Sequence, residues 1–127
     1  MNYADANIII YAFVDDGEKG GACRALLEFE DLATSVLSLD EIAFKIGKLS
    51  KEKAVAAVRL LSNSPNISLV PVLPEDARAF AELLEGGFAP RDAIHALCAK
   101  KAGCRKFYSE DKDFKRLKGI KTIVPWQ

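Results

Sequence analysis

No stretch of this chain is long and apolar enough to cross a membrane, which takes about 18 consecutive apolar residues. Its opening residues, Met1-Asn2-Tyr3-Ala4-Asp5, carry neither the basic stretch nor the long apolar segment of a secretory signal, so the expected location is the cytoplasm. Cysteine is scarce. Cys23, Cys98 and Cys104 are odd in number and lack zinc-site spacing, which reads as buried thiols in a reducing compartment. A glycine-rich phosphate loop is missing, as is any cofactor motif, which argues against a nucleotide-dependent metabolic enzyme. Net charge is missing too. Eighteen Lys and Arg balance eighteen Asp and Glu, so no global field advertises a nucleic-acid partner. There is no internal repeat, no low-complexity segment and no linker long enough to divide the chain. The 127 residues, half of them apolar, fit one domain over 1–127 with one sizeable core.

Charge is balanced overall but unevenly spread. Lys100, Lys101, Arg105, Lys106, Lys112, Lys115, Arg116, Lys118 and Lys121 crowd the last quarter, against Glu110, Asp111 and Asp113. Such a surface could hold a phosphate backbone; a solvated helix face explains it as well.

Strands alternate with helices along the whole chain. Tyr3-Ala4-Asp5 ends a first strand. The apolar run Ile8–Phe13 suits either a strand or a buried helix. Asp5 and Asn7 break the strand pattern and Asn7 could cap, so a helix is expected, ended by Asp15-Asp16-Gly17. A second helix spans Glu18 to Phe29, with Cys23, Leu26, Leu27 and Phe29 towards the core. Asp31–Val36 is a short strand containing Leu32, Ala33 and Val36. Ser38-Leu39-Asp40-Glu41 has the form of a capping box and opens a helix carrying Ile42, Ala43, Ile46 and Leu49. Ser50 caps another, with Ala54, Val55, Val58 and Leu61 at helical spacing. Ser62–Asn66 is a loop, Ile67–Val70 a strand, and Pro74 the first turn of a helix that Gly86-Gly87 ends. Pro90-Arg91-Asp92 opens the next helix, which runs to Gly103. Lys106–Ser109 is a strand, Glu110–Leu117 a short helix or turn, and Thr122–Val124 a last strand. This alternation predicts a parallel sheet covered on both faces, with ligands beyond the carboxyl ends of its strands.

Four acids, Asp5, Glu41, Asp92 and Asp111, stand where strands give way to helices or where helices begin. Each has a plain structural account. Asp5 could cap the Ile8–Phe13 helix, and the capping box alone explains Glu41. Asp92 sits where a helix dipole favours an acid, and Asp111 could cap the turn that follows it. As a set they say more, because a parallel α/β layout brings strand ends and helix starts to one edge. Carboxylates gathered there repel one another and call for a hard divalent cation, Mg²⁺ or Mn²⁺. The chemistry such a site suits is phosphodiester hydrolysis.

The same residues carry a resemblance. Asp5-Ala6-Asn7-Ile8-Ile9-Ile10-Tyr11 resembles the opening signature of the PIN-domain ribonucleases, and Ser38-Leu39-Asp40-Glu41-Ile42 their second acidic motif. Pro90-Arg91-Asp92-Ala93-Ile94-His95-Ala96 is similar to the third. Ser109-Glu110-Asp111-Lys112-Asp113-Phe114 resembles the last, in which Ser or Thr precedes an acid by two. Ala6 stands where Thr or Ser is more usual. The four motifs come in order over the whole chain, and its small size resembles the VapC-type toxins of toxin–antitoxin pairs. The resemblance implies a three-layer α/β/α sandwich with a mainly parallel sheet and Mg²⁺- or Mn²⁺-dependent cleavage of RNA. It also implies a homodimer and a small antitoxin partner.

Carried over by motif, Asp5, Glu41, Asp92 and Asp111 form the acidic, metal-holding site. Glu110 and Asp113 compete with Asp111 for the fourth place, and Asp40 with Glu41. Asp111 is chosen because it lies two residues beyond Ser109; Asp113 is assigned to the turn that buries Phe114. Ser109 would orient the fourth acid or a water, and Asn7 would hold the Asp5 carboxylate. Arg91 and Lys112 would contact RNA phosphates. His95 is read as a hydrogen-bonded structural residue, with metal ligation as the alternative. Tyr11, Phe13, Phe44 and Trp126 could stack on bases, although core packing or an interface also explains them. The rivals are an RNA-processing nuclease without a toxin role, a catalytically silent PIN-like binding module, and a signalling receiver domain. The receiver reading wants a phosphoacceptor Asp after a central strand and a late Lys, and Asp5 comes too early for it.

Overall fold

Side chains alternate between two faces along every strand, and that alternation builds the layers. The computed structural model describes all 127 residues. The first strand, β1 (Asn2–Ala4), leads through α1 (Ala6–Val14) and α2 (Glu18–Phe29) to β2 (Leu32–Ser35). Next come α3 (Ser38–Gly47), α4 (Lys51–Asn63) and β3 (Ile67–Val70). A 3₁₀ turn at Pro74–Asp76 leads into α5 (Ala77–Glu85), then α6 (Pro90–Lys101) and β4 (Lys106–Tyr108). A second 3₁₀ turn, Lys112–Arg116, precedes β5 (Lys121–Ile123). All strand pairs are parallel, in the order β3-β2-β1-β4-β5.

Tyr3, Ala33, Val70 and Phe107 point to one face, where α5, α6 and the buried Phe114 cover them. Their neighbours Ala4, Leu32, Ile67 and Tyr108 point to the other, against α1 to α4. The result is the expected three-layer α/β/α sandwich. Ile8, Ile9, Ile42, Ile46 and Leu61 are each at most 1% exposed, and burying such a side chain stabilises by roughly 1.5–3 kcal/mol. Close approach at the α1–α2 corner depends on Gly20. Its amide donates to the Asp15 carboxylate at 2.7 Å, and a Cβ would sit 1.8 Å from the Asp15 carbonyl oxygen.

Some expected details differ. Phe29 is 79% and Leu49 73% exposed: Phe29 is the last residue of α2 and Leu49 lies in the turn beyond α3, so neither packs on the sheet. Ala43 and Val55 also face outwards, while Ala57 takes the inward place on α4. The segment after β4 forms a 3₁₀ turn, and β5 ends one residue before Val124. Ser50 caps α4 as expected, accepting from the Lys53 amide at 3.2 Å. The three cysteines are buried and unpaired.

Strand order fixes where a ligand would lie. From β1 the chain moves outwards to β2 and β3, then returns to place β4 on the other side of β1. Connections therefore diverge between β1 and β4, and the crevice beyond their carboxyl ends is the topological switch point. Tyr3 pairs with Phe107 and Ala4 with Tyr108, so the strands finish together and Asp5 and Ser109 emerge side by side.

Candidate active site

The buried polar side chains gather at this edge of the sheet. They are Asp5, Thr34, Ser35, Ser38, Ser109 and, reaching in from α6, His95. A buried polar group costs stability unless it is hydrogen-bonded, so this concentration calls for partners. Asp5 stands at the N-cap of α1 but makes no capping bond. Its Oδ2 accepts from Ser109 Oγ at 2.8 Å, and Ser109 Oγ accepts from the Asp111 amide at 3.0 Å. His95 Nε2 lies 2.9 Å from Glu41 Oε1 and 3.6 Å from Asp5 Oδ1. Both neighbours are acceptors, so Nε2 carries a hydrogen. On the other side of the ring, Nδ1 is 2.6 Å from the Tyr3 hydroxyl, which accepts from the Ser35 amide at 2.9 Å. Thr34 Oγ1 donates to the Ala4 carbonyl at 2.8 Å and meets Ser38 Oγ at 2.7 Å.

Beside this network lies an open acidic cluster. One carboxylate oxygen from each of Asp92, Asp111 and Asp113 falls within 4.8 Å of the others. Asp92 is in the first turn of α6. Asp111 caps the second 3₁₀ turn, accepting from the Asp113 amide at 2.9 Å.

Titration behaviour follows this arrangement. Burial lifts the Asp5 carboxyl above the usual range, with the Glu41 charge adding and the His95 charge and Ser109 bond opposing. Asp92 is raised as well, by burial and then by the charges of Asp111, Asp5 and Asp113. Burial pushes Glu41 up, but the His95 bond and the charges of His95, Arg91 and Lys45 leave it below the ordinary value. His95 is raised. Burial favours its neutral form, yet the Glu41 bond and the charges of Asp5, Glu41 and Asp92 outweigh that. Carboxylates that raise one another's pKa by repulsion are relieved by a shared cation, and an all-oxygen donor set suits a hard divalent one.

The PIN domain family model matches residues 3–120. The chain belongs to the PIN domain family. Among curated proteins, this PIN domain is 28% identical over 120 residues to "Ribonuclease VapC1" of Aquifex aeolicus (strain VF5), covering 88% of this chain and 82% of that protein. Its fold is that of solved VapC-type structures. Mycobacterium tuberculosis VapC20, a Sarcin-Ricin loop cleaving toxin, aligns with a TM-score of 0.78 at 18% identity, over 95% of this chain and 99% of that one. A toxin–antitoxin complex from Klebsiella pneumoniae gives 0.74 at 20% identity, over 98% of each chain. VapBC2 from Rickettsia felis, bound to a DNA fragment from its promoter, gives 0.70 at 17% identity, over 97% and 98%.

Within this PIN domain the four motif acids reach the same edge of the sheet by two routes. Asp5 and Glu41 meet through His95, and Asp92 and Asp111 face each other in the open cluster. Glu41 does not close a capping box, because the helix begins one residue earlier than that box requires. Leu37 is the N-cap, Ser38 bonds Thr34, and the Glu41 carboxylate is taken by His95. Asn7 is placed differently from its expected role: its Oδ1 accepts from Lys45 Nζ at 3.1 Å. Asp113, assigned from sequence to the turn alone, joins the cluster. Arg91 and Lys112 are both exposed. Sequence reasoning passed over Tyr3, Ser35 and Thr34. Tyr3 on a central strand, with Thr34-Ser35 at the end of the strand beside it, was the available signal.

Proposed function

We propose that this PIN domain is a Mg²⁺- or Mn²⁺-dependent endoribonuclease that hydrolyses RNA phosphodiester bonds and serves as the toxin of a toxin–antitoxin pair in the cytoplasm. One observation carries the reading: three carboxylates converge within 4.8 Å, beside a buried fourth, at the switch point of the sheet. Asp5, Asp92 and Asp111 would hold the cation, with Asp113 beside them and Glu41 acting directly or through water. When bound, such a cation lowers the pKa of water and offsets charge building on the phosphoryl oxygens. The remaining work belongs to the chain. Ser109 fixes Asp5 and the Asp111 backbone with one hydroxyl. His95 holds one oxygen of Glu41 and leaves the other free. Arg91 and Lys112, exposed near these acids, would contact phosphates without reading sequence.

The VapBC2 and Klebsiella pneumoniae toxin–antitoxin complexes support an antitoxin partner, and a homodimer is proposed beside it. Both need apolar surface, and Phe44 on α3 and Leu49 in the turn beyond it supply some, at 61% and 73% exposure. Incubating the purified protein with cellular RNA tests the enzyme reading. Discrete fragments are expected with Mg²⁺ or Mn²⁺, and none with chelator or with Asp92→Asn. Cutting that survives both treatments would sink the metal mechanism. No cutting with any cation would leave a silent binding module.

A further inference from the structure

A cleft of about 250 Å³ opens next to the acidic cluster, bounded by the second 3₁₀ turn, the end of β5 and the C-terminal residues. We propose that it is a nucleotide subsite, holding one base, its ribose and the attached phosphate of single-stranded RNA beside the bond to be cut. The proposal rests on the nuclease reading for its biological meaning. Ser109 and Asp111 belong to both the acidic site and the cleft wall, so a nucleotide seated here is continuous with the acids. The volume lies just below the roughly 300–1,000 Å³ of pockets for drug-sized molecules, which suits a single nucleotide.

Its lining matches the parts of a nucleotide. Lys112 and Lys115 supply charge for a phosphate. Glu110 and Asp111 are the opposing charges, but Glu110 already accepts from the Tyr11 hydroxyl and lies 3.7 Å from Lys19 Nζ, and Asp111 belongs to the acidic cluster that a cation would neutralise. Trp126 supplies the aromatic surface. It is only half-buried, and its ring is held in place edge-on to Tyr11, with centroids 5.5 Å apart, and by Lys19 Nζ at 5.0 Å. A ring already held loses little freedom when a base stacks on it. Thr122 also lines the cleft, and its Oγ1 is a buried polar atom with no hydrogen-bond partner. Oγ1 is enclosed where it stands, so a base edge or ribose hydroxyl would satisfy it once the Thr122 side chain turns towards the cleft.

Trp126 is the only tryptophan, so its emission reports on this cleft alone. Adenosine and uridine 5′-monophosphates are the probes, because they contain no phosphodiester bond and cannot be cut. Each is expected to quench Trp126 saturably. Lys115→Ala should weaken that binding about fivefold or more, Thr122→Val should weaken it as well, and Lys53→Ala on α4 should leave it unchanged. Linear collisional quenching, or saturable quenching indifferent to Lys115→Ala and Thr122→Val, overturns the proposal. A protein that cuts RNA yet shows only collisional quenching keeps the nuclease reading and loses the subsite. One that cuts nothing but binds with the expected pattern keeps the subsite as a binding site.

Discussion

Glu41 and His95, 54 positions apart, meet at 2.9 Å in the interior, with Asp5 only 3.6 Å from the same ring nitrogen. His95 is the buried donor between these acids, and although burial favours its neutral form, their bond and charges raise its pKa, so removing it leaves two carboxylates without that partner. His95→Ala should therefore destabilise the metal-free protein by about 1–3 kcal/mol, the usual cost of leaving a buried acceptor without its donor. Urea unfolding in chelator measures it. His95→Gln, which keeps one donor, should recover part of the loss. A His95→Ala protein as stable as the parent would show that Glu41 and Asp5 do not depend on the ring.

Ser109 is fully buried, and its hydroxyl serves two partners at once, donating to Asp5 and accepting from the Asp111 amide. Ser109→Ala leaves both unsatisfied and should cost about 1–3 kcal/mol. It should also lower RNA cleavage, since the Asp5 carboxylate and the Asp111 backbone lose the hydroxyl that joins them. Comparing unfolding free energy with cleavage rate for this variant separates folding from positioning. Unchanged cleavage at reduced stability would confine Ser109 to a structural role.

How far these residues could be read in advance depended on range. Glu18–Phe29 and Ile67–Val70 matched their expected bounds, because helical period, a short β-rich run and flanking breakers are all local signals. The parallel sheet followed from alternation of elements. Glu41 misled because Ser38-x-x-Glu41 satisfies a local rule, whereas the real partner lies 54 residues on in α6. Asp111 and Asp113 could not be told apart in sequence. The 3₁₀ turn starts between them, and Asp111 caps it by accepting from the Asp113 amide, which keeps both carboxylates at the same end.

Mutual repulsion among Asp92, Asp111 and Asp113 gives a test that does not need RNA. The raised Asp92 carboxyl reflects burial and then the charges around it. Asp92→Asn should therefore raise the melting temperature in chelator while abolishing the rise that Mn²⁺ produces. In the parent, cation at a hundredfold excess over Kd should add about 2.7 kcal/mol. Asp113→Asn decides whether that residue shares the cation: loss of the Mn²⁺ response makes it a ligand, and retention makes it a bystander. Should Asp92→Asn keep the full Mn²⁺ shift, the cation binds elsewhere.

Alkali should unfold this protein through Tyr108. Its ring is buried between β4 and the helices α1 and α2, and its hydroxyl donates to both oxygens of Glu30, at 2.7 and 3.0 Å. Burial, then the Glu30 bond and the Glu30 charge, push the phenol up from 10.0 to about 12. Because the folded form holds this proton more tightly, the contribution is complete below about pH 10 and disappears as pH rises to about 12. Two units correspond to roughly 2–3 kcal/mol. Unfolding free energies measured across that window should fall steeply for the parent and less steeply for Tyr108→Phe. Tyr11, also raised to about 12, first by its bond to Glu110, keeps some slope in the variant. Identical slopes for the two proteins would mean that Tyr108 ionises as freely folded as unfolded, and that its bond to Glu30 adds nothing to stability.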